Sequence, residues 1–125
     1  MITHDLRLIA DAILDKKGEN VVSLDLRKLD GAITDFFVIC DCSNTTQVGA
    51  VALNVAEKMK EEGHRLYRSQ GEGNNFWIIQ DYGSIVVHIF LREYREFYRL
   101  EDLWSDFPRK EYKERRKAAA KKEEE

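Results

Sequence analysis

Phe76-Trp77-Ile78-Ile79-Gln80-Asp81-Tyr82-Gly83-Ser84-Ile85-Val86-Val87-His88-Ile89-Phe90 holds two runs rich in β-formers, 76–80 and 85–90, split by four turn-forming residues. That pattern predicts an antiparallel hairpin. Alternation puts Trp77 and Ile79 on one face of the first strand, and Val86, His88 and Phe90 on one face of the second. If the register brings these faces together, Trp77, His88 and Phe90 form one patch. Upstream, Phe36-Phe37-Val38-Ile39-Cys40 is a short continuous apolar run, the signature of a central strand covered on both faces. Val22, Leu24 and Leu26 alternate with polar residues and predict a half-buried strand. Leu66 to Gln70 gives a weaker strand signal, before a loop at Gly71-Glu72-Gly73-Asn74-Asn75.

Helical periodicity fills the intervals. Leu6, Ile9, Ala10, Ile13 and Leu14 form one apolar face over residues 4–17, with Thr3 as a cap and Gly18 at the end. Val48, Val51, Ala52, Val55, Ala56 and Met59 form another, opened by Asn44 with Gln47 in a capping-box pattern and closed by Gly63. After Leu91 the pattern is helical again. Phe97, Leu100 and Trp104, at i, i+3 and i+7, predict an inward face and leave Tyr98, Asp81, Glu101 and Asp102 for a partner. The order α-β-β-α-β-β-β-α predicts an α/β fold, with a mixed parallel and antiparallel sheet flanked by helices. Pro108 is expected to end the ordered domain, 1–108, and residues 109–125 to form a charged, frayed extension.

The chain has 125 residues, 43% apolar and 34% charged, which fits one domain with one core. No apolar run approaches the roughly 20 residues needed to span a bilayer, and the start lacks the basic and apolar regions of a signal peptide, so the cytoplasm is the expected compartment. Cys40 and Cys42 make a single C-x-C with no His or Cys nearby to complete a zinc site, and are expected to be small strand residues. Residues 1–108 carry 18 Asp and Glu against 12 Lys and Arg, a net −6, while residues 109–125 carry 8 against 5, a net +3. An acidic body suits a basic protein partner better than nucleic acid phosphates.

Four stretches resemble the ribosomal silencing factor (Iojap-like) family. They are Asp35-Phe-Phe-Val-Ile before the Ser/Thr-rich helix start at 43–46; Glu72-Gly73 with Trp77-Ile-Ile-x-Asp81-Tyr82-Gly83; Val86-Val87-His88-Ile-Phe90; and Arg95-Glu-Phe97-Tyr98-Arg-Leu100-Glu101-Asp-Leu103-Trp104. The resemblance covers about residues 4–107, and the joint presence of the last two stretches makes it specific. Cys42 stands where the family usually has Gly, Thr46 where Arg is frequent, and Arg92 where Pro or an acidic residue is common. The resemblance implies a mixed α/β fold related in outline to nucleotidyltransferases, with no catalytic activity and no cofactor. It also implies docking on the fourteenth protein of the large ribosomal subunit, where the bound factor blocks joining of the small subunit and represses translation.

On this reading the partner-binding residues are Trp77, Asp81, Tyr82, His88, Phe90, Tyr98, Glu101 and Asp102. Aromatics suit such a role because they bury much area at little entropic cost. His88 lacks the companions needed for metal binding and a nucleophile needed for base catalysis. The basic tail offers a peripheral contact to ribosomal RNA, and exposed aromatics offer a route to a homodimer off the ribosome. Two alternatives stand beside this one. A nucleotidyltransferase would need a Gly-Ser pair at a helix start and an Asp-x-Asp or Asp-x-Glu pair on a strand. Ser43 has no preceding Gly, and Asp25 stands alone. An assembly factor binding RNA directly would need basic residues among its surface aromatics, and those near Phe76-Trp77 are acidic.

Overall fold

The computed structural model describes residues 2–113 and centres on two parallel strands, β2 (Phe36–Cys42) and β5 (Ile85–Leu91). Both are buried along nearly their whole length, as the continuous apolar runs require. Around them the sheet runs β3-β4-β5-β2-β1-β6, with β1 Glu19–Asp25, β3 Arg68–Gln70, β4 Trp77–Asp81 and β6 Arg109–Tyr112. Every pair other than β2–β5 is antiparallel, so the sheet is mixed, as expected. The β4–β5 hairpin pairs Trp77 with Phe90, Ile79 with His88 and Asp81 with Val86, which places the aromatic residues on one face.

Two helices cover the other face. α1 (Ile2–Asp15) buries Leu6, Ile9, Ala10 and Ile13, and α2 (Thr45–Glu61) buries Val48, Val51, Val55 and Met59. Against them pack Val38, Cys40, Cys42, Ile78, Ile85, Val87 and Ile89. Both cysteines point into this layer, and burial pushes the Cys42 thiol up to about 12, which closes thiolate chemistry at neutral pH. The α2 cap forms with one variation. Asn44 Oδ1 accepts from Gln47 N at 2.8 Å, while Gln47 Oε1 accepts from Ser43 N at 2.9 Å rather than from the cap residue itself.

The other face carries a smaller cluster of Val22, Leu24, Leu26, Ile39 and Phe90. It is partly roofed by α3 (Arg92–Tyr98), a 3-10 helix (Leu100–Trp104) and Phe107. Arg99 adopts a left-handed conformation, φ 49° and ψ 51°, and stops α3 after seven residues. The expected inward row of Phe97, Leu100 and Trp104 is therefore not on one helix. Leu100 packs on the sheet, Phe97 is 77% exposed, and the Trp104 side chain lies outside the described residues. α3 is held by Arg95, which is buried and donates to Asp41 Oδ2 on β2 (3.2 Å), to Glu101 Oε2 (2.8 and 3.0 Å) and to the Asn20 carbonyl on β1. Asp41 also accepts from Arg92 Nε at 2.9 Å, and Arg92 reaches Glu19 as well.

Two boundaries and the burial of one strand differ from expectation. α1 begins at Ile2, so Thr3 sits inside its first turn rather than capping it. β1 is buried on both faces instead of one, because Val21 and Ser23 meet the helix layer and Tyr112 while Val22 and Leu24 meet the second cluster. The ordered part does not end at Pro108. Arg109–Tyr112 adds the edge strand β6 along β1, with the Tyr112 side chain buried, its hydroxyl 3.1 Å from Ser23 Oγ, and the Lys113 carbonyl accepting from Arg7 Nη2 on α1. Residues 114–125, the rest of the expected frayed extension, lie outside the described residues.

Two stability predictions follow from these contacts. Tyr112→Ala should cost about 3 kcal/mol, the usual scale for emptying a large buried aromatic site. Truncation after Pro108 should lower the urea midpoint by at least as much, and an unchanged midpoint would show β6 to be dispensable. Arg95→Met should cost about 3 kcal/mol by leaving Glu101 and part of Asp41 buried without a cation. Arg95→Met with Glu101→Leu should recover part of that loss. If the double variant is no more stable than the single one, the ion network does not hold α3.

Candidate interaction surface

On the face opposite α1 and α2, the hairpin leaves β4 half open. Along β4, Trp77, Ile79 and Asp81 are each half-buried, while Ile78 and Gln80 between them are buried toward α2. Phe37 on β2 is half-buried and stands edge-on to the His88 ring at 4.6 Å. Trp77 is the hub of the aromatic group. Its ring stacks on Phe90 at 4.7 Å and lies 5.1 Å from Tyr98, which is 48% exposed. Its indole Nε1–H donates to His88 Nδ1 at 3.1 Å. That hydrogen bond assigns the neutral ring's proton to Nε2, which is buried with no hydrogen-bond partner among the described residues. Burial lowers the His88 pKa to about 4, so the ring is neutral at physiological pH and fixes the tilt of Trp77.

The expected contact residues therefore separate by depth. Trp77, Asp81, Tyr98 and Asp102 reach solvent. Three do not. Phe90 is fully buried beneath Trp77, and His88 is 6% exposed between Phe37, Trp77 and Phe90. Both are the floor of the surface, not its contacts, because the two strands on either side of β5 wall them in. Tyr82 is on the wrong side: its hydroxyl donates to Gln80 Oε1 at 2.9 Å, it packs in the helix-side core, and burial raises its pKa. Glu101 is half-buried and engaged by Arg95, while Asp102 is exposed and accepts from Arg99 Nε at 2.7 Å. Asp81 Oδ1 accepts from Gly83 N at 2.8 Å and holds the hairpin turn.

Sequence reasoning passed over several neighbours. Phe37 shares this face because it alternates with Phe36 and Val38, which point to the other; period-2 bookkeeping within the apolar run is enough to find it. Phe97 and Leu103 are 77% and 72% exposed, a fact hidden by the break in the helix at Arg99. Nothing local in the sequence signals the pairing of Asp41 with Arg95, 54 positions apart.

The groups that phosphoryl transfer would use are otherwise engaged. Asp25 binds Arg27 through Nε and Nη2 at 2.9 and 2.7 Å, and the hydrogen bond from that guanidinium lowers its pKa. Ser43 donates its hydroxyl to Gln47 Oε1 at 3.0 Å. Among the described residues, no three His, Cys, Asp or Glu side chains converge as a metal site, and no helix is long and apolar enough to cross a membrane.

Neutral His88 also makes stability pH-dependent. With a folded pKa near 4 and an ordinary value of about 6.5, the unfolded chain takes up the proton first as pH falls. The contribution is intact above pH about 6.5, declines below it and is lost by about 4, a change on the order of 3 kcal/mol. Unfolding measured at pH 7.5 and 4.5 should show a smaller acid loss in His88→Gln than in the parent. Equal losses would mean that His88 titrates normally.

A family model described as "Ribosomal silencing factor during starvation" matches residues 2–125. Ribosomal silencing factor RsfS of Halalkalibacterium halodurans is 38% identical over 103 residues, 82% of this chain and 87% of that protein. A crystal structure of a protein from Chromobacterium violaceum aligns with a TM-score of 0.80 at 31% identity, covering 84% of this chain and 87% of that one. The mouse protein named mitochondrial assembly of ribosomal large subunit protein 1 is 32% identical over 75 residues, 58% of this chain and 33% of its own length. The mixed sheet, its aromatic face and these matches agree: the chain belongs to the RsfS family of ribosomal silencing factors.

Proposed function

We propose that the chain silences ribosomes by docking its open sheet face on the large subunit, through the basic fourteenth large-subunit protein, and by standing where the small subunit would approach. The observation that carries this reading is the half-open aromatic face built on Trp77 and Tyr98, with Asp81 on the same face of β4 as Trp77, supported from below by His88 and Phe90. Rigid aromatics over a packed floor are suited to an affinity hot spot. The acidic body, net −6 over residues 1–108, favours a basic partner by steering and orientation. The mouse relative's name refers to the large ribosomal subunit, which supports that subunit as the target.

The action is steric and needs no chemistry of its own, in keeping with the engagement of Asp25 and Ser43 by their neighbours. The compartment is the cytoplasm. Residues 109–125, with a net charge of +3, would make at most a peripheral contact with ribosomal RNA.

Purified protein should co-sediment with isolated large subunits and not with small subunits, and should reduce the yield of joined ribosomes. Trp77→Ala and Tyr98→Ala should each weaken large-subunit binding about tenfold or more, the scale of hot-spot truncation, while Ile33→Ala, on a separate exposed loop position, leaves it unchanged. Circular dichroism distinguishes a lost contact from a lost fold. Full binding by both aromatic variants would place the docking surface elsewhere.

A further inference from the structure

Beside Trp77, α3 presents a groove of about 340 Å³ lined by Glu93, Tyr94, Phe97 and Tyr98. The four residues fall at i, i+1, i+4 and i+5, two adjacent rows on the helix face away from buried Arg95. Phe97 and Tyr98 stand nearly perpendicular, 87° at 5.1 Å, and Tyr94 lies 6.4 Å from Tyr98, so three rings form its walls. Tyr94 is itself fixed from behind by stacking on Phe76 at 4.8 Å. Glu93 is exposed at the first turn, with no ion pair among the described residues.

Three aromatic rings elsewhere among the described residues carry a cation of the chain. Arg7 lies over Tyr112 at 5.7 Å, Arg27 over Phe36 at 4.9 Å, Arg65 over Tyr67 at 4.9 Å, and Lys110 over Tyr112 at 5.2 Å. Among the described residues, no cation of the chain sits over Tyr94, Phe97 or Tyr98. An apolar occupant would bury these rings but strip water from the Glu93 carboxylate without compensation. A cation on an apolar stem satisfies both: the stem lies on the rings, and the charge meets ring faces and carboxylate together. A planar guanidinium, which stacks and can donate two hydrogen bonds to one carboxylate, fits better than an ammonium.

We propose that the Glu93–Tyr94–Phe97–Tyr98 groove is the seat of an arginine side chain from the protein partner, a cation–π pocket that sets the register of docking. This rests on the reading that the adjoining Trp77 face docks on a basic protein. The groove meets that face at Tyr98, whose ring also touches Trp77, so one bound segment would engage both.

Two measurements on the full chain test it. In the first, aromatic resonances are followed by NMR as a short Gly-Arg-Gly peptide is added, with the citrulline peptide, of the same shape but uncharged, as control. Shifts should centre on Tyr94, Phe97 and Tyr98, vanish with citrulline, and weaken about two- to fivefold in affinity in Glu93→Gln, the upper range for loss of an exposed ion pair. Equal response to both peptides, or shifts scattered over other acidic surface, overturns the proposal. In the second, Glu93→Arg and Phe97→Ala are compared with the parent for large-subunit binding. Both should bind more weakly with Trp77 intact. Parent-like binding by both would show that the groove is not the partner's seat. If the parent itself does not bind large subunits, the docking reading fails, and the peptide titration still decides whether the groove takes a guanidinium.

Discussion

Arg95 is the buried cation among the described residues, and the arrangement of the aromatic face depends on where it is held. Its guanidinium joins α3 to Asp41 on β2, to the Asn20 carbonyl on β1 and to Glu101 in the following 3-10 helix. α3 has seven residues, too few to persist as a helix by itself. An ion network of this kind adds little net stability over an apolar replacement, yet it is costly to break from one side and specific in geometry. It fixes which side of α3 meets the sheet. With Arg95 turned inward, Tyr94 and Tyr98 must turn toward Phe76 and Trp77. Arg92 belongs to the same network through Asp41 and Glu19.

The two faces of the sheet serve different ends. The helix side is closed by α1 and α2, and tied by polar bonds that leave little play, such as Gln80 Nε2 to the Ala52 carbonyl and Asn54 Nδ2 to the Ala12 carbonyl, both at 2.9 Å. The other side is closed only over β1, β2 and part of β5. What remains open is not a defect of packing. Half-buried Trp77 rests on buried Phe90 and half-buried Phe37 on buried His88, and the histidine holds the indole in place through a single hydrogen bond. Such a surface is ordered before a partner arrives, which lowers the entropy lost on docking.

Much of the architecture was legible because its signals are local. The hairpin register follows from alternation over 76–90, α2 from its 3.6 periodicity and its Asn44 cap, and the central strand from an unbroken apolar run. The failures share a physical cause: they depend on contacts far apart in sequence. β6 is Arg-Lys-Glu-Tyr, polar enough to resemble a tail, and becomes a strand because β1, far back in the sequence, offers an edge that pairs Val21 with Tyr112 and Ser23 with Lys110. Phe90, His88 and Tyr82 have the composition of contact residues but lie beneath the surface, since depth is decided by neighbouring strands and by α2 rather than by residue type. Phe97 was placed inside by a periodicity that Arg99 interrupts.

The outermost strands of the sheet are short and ill suited to further pairing. β3 spans Arg68–Gln70 and β6 spans Arg109–Tyr112, with charged or polar side chains exposed along both. Such rims discourage the strand-by-strand addition that leads to fibres. The exposed rings of Phe97 and Tyr98 lie together on α3, beside Trp77. Two copies that meet there bury the same patch from each, in an isologous contact that is complete at two subunits and leaves nothing for a third. Any such pair would cover the same rings that the proposed docking uses, so self-association and docking would exclude each other.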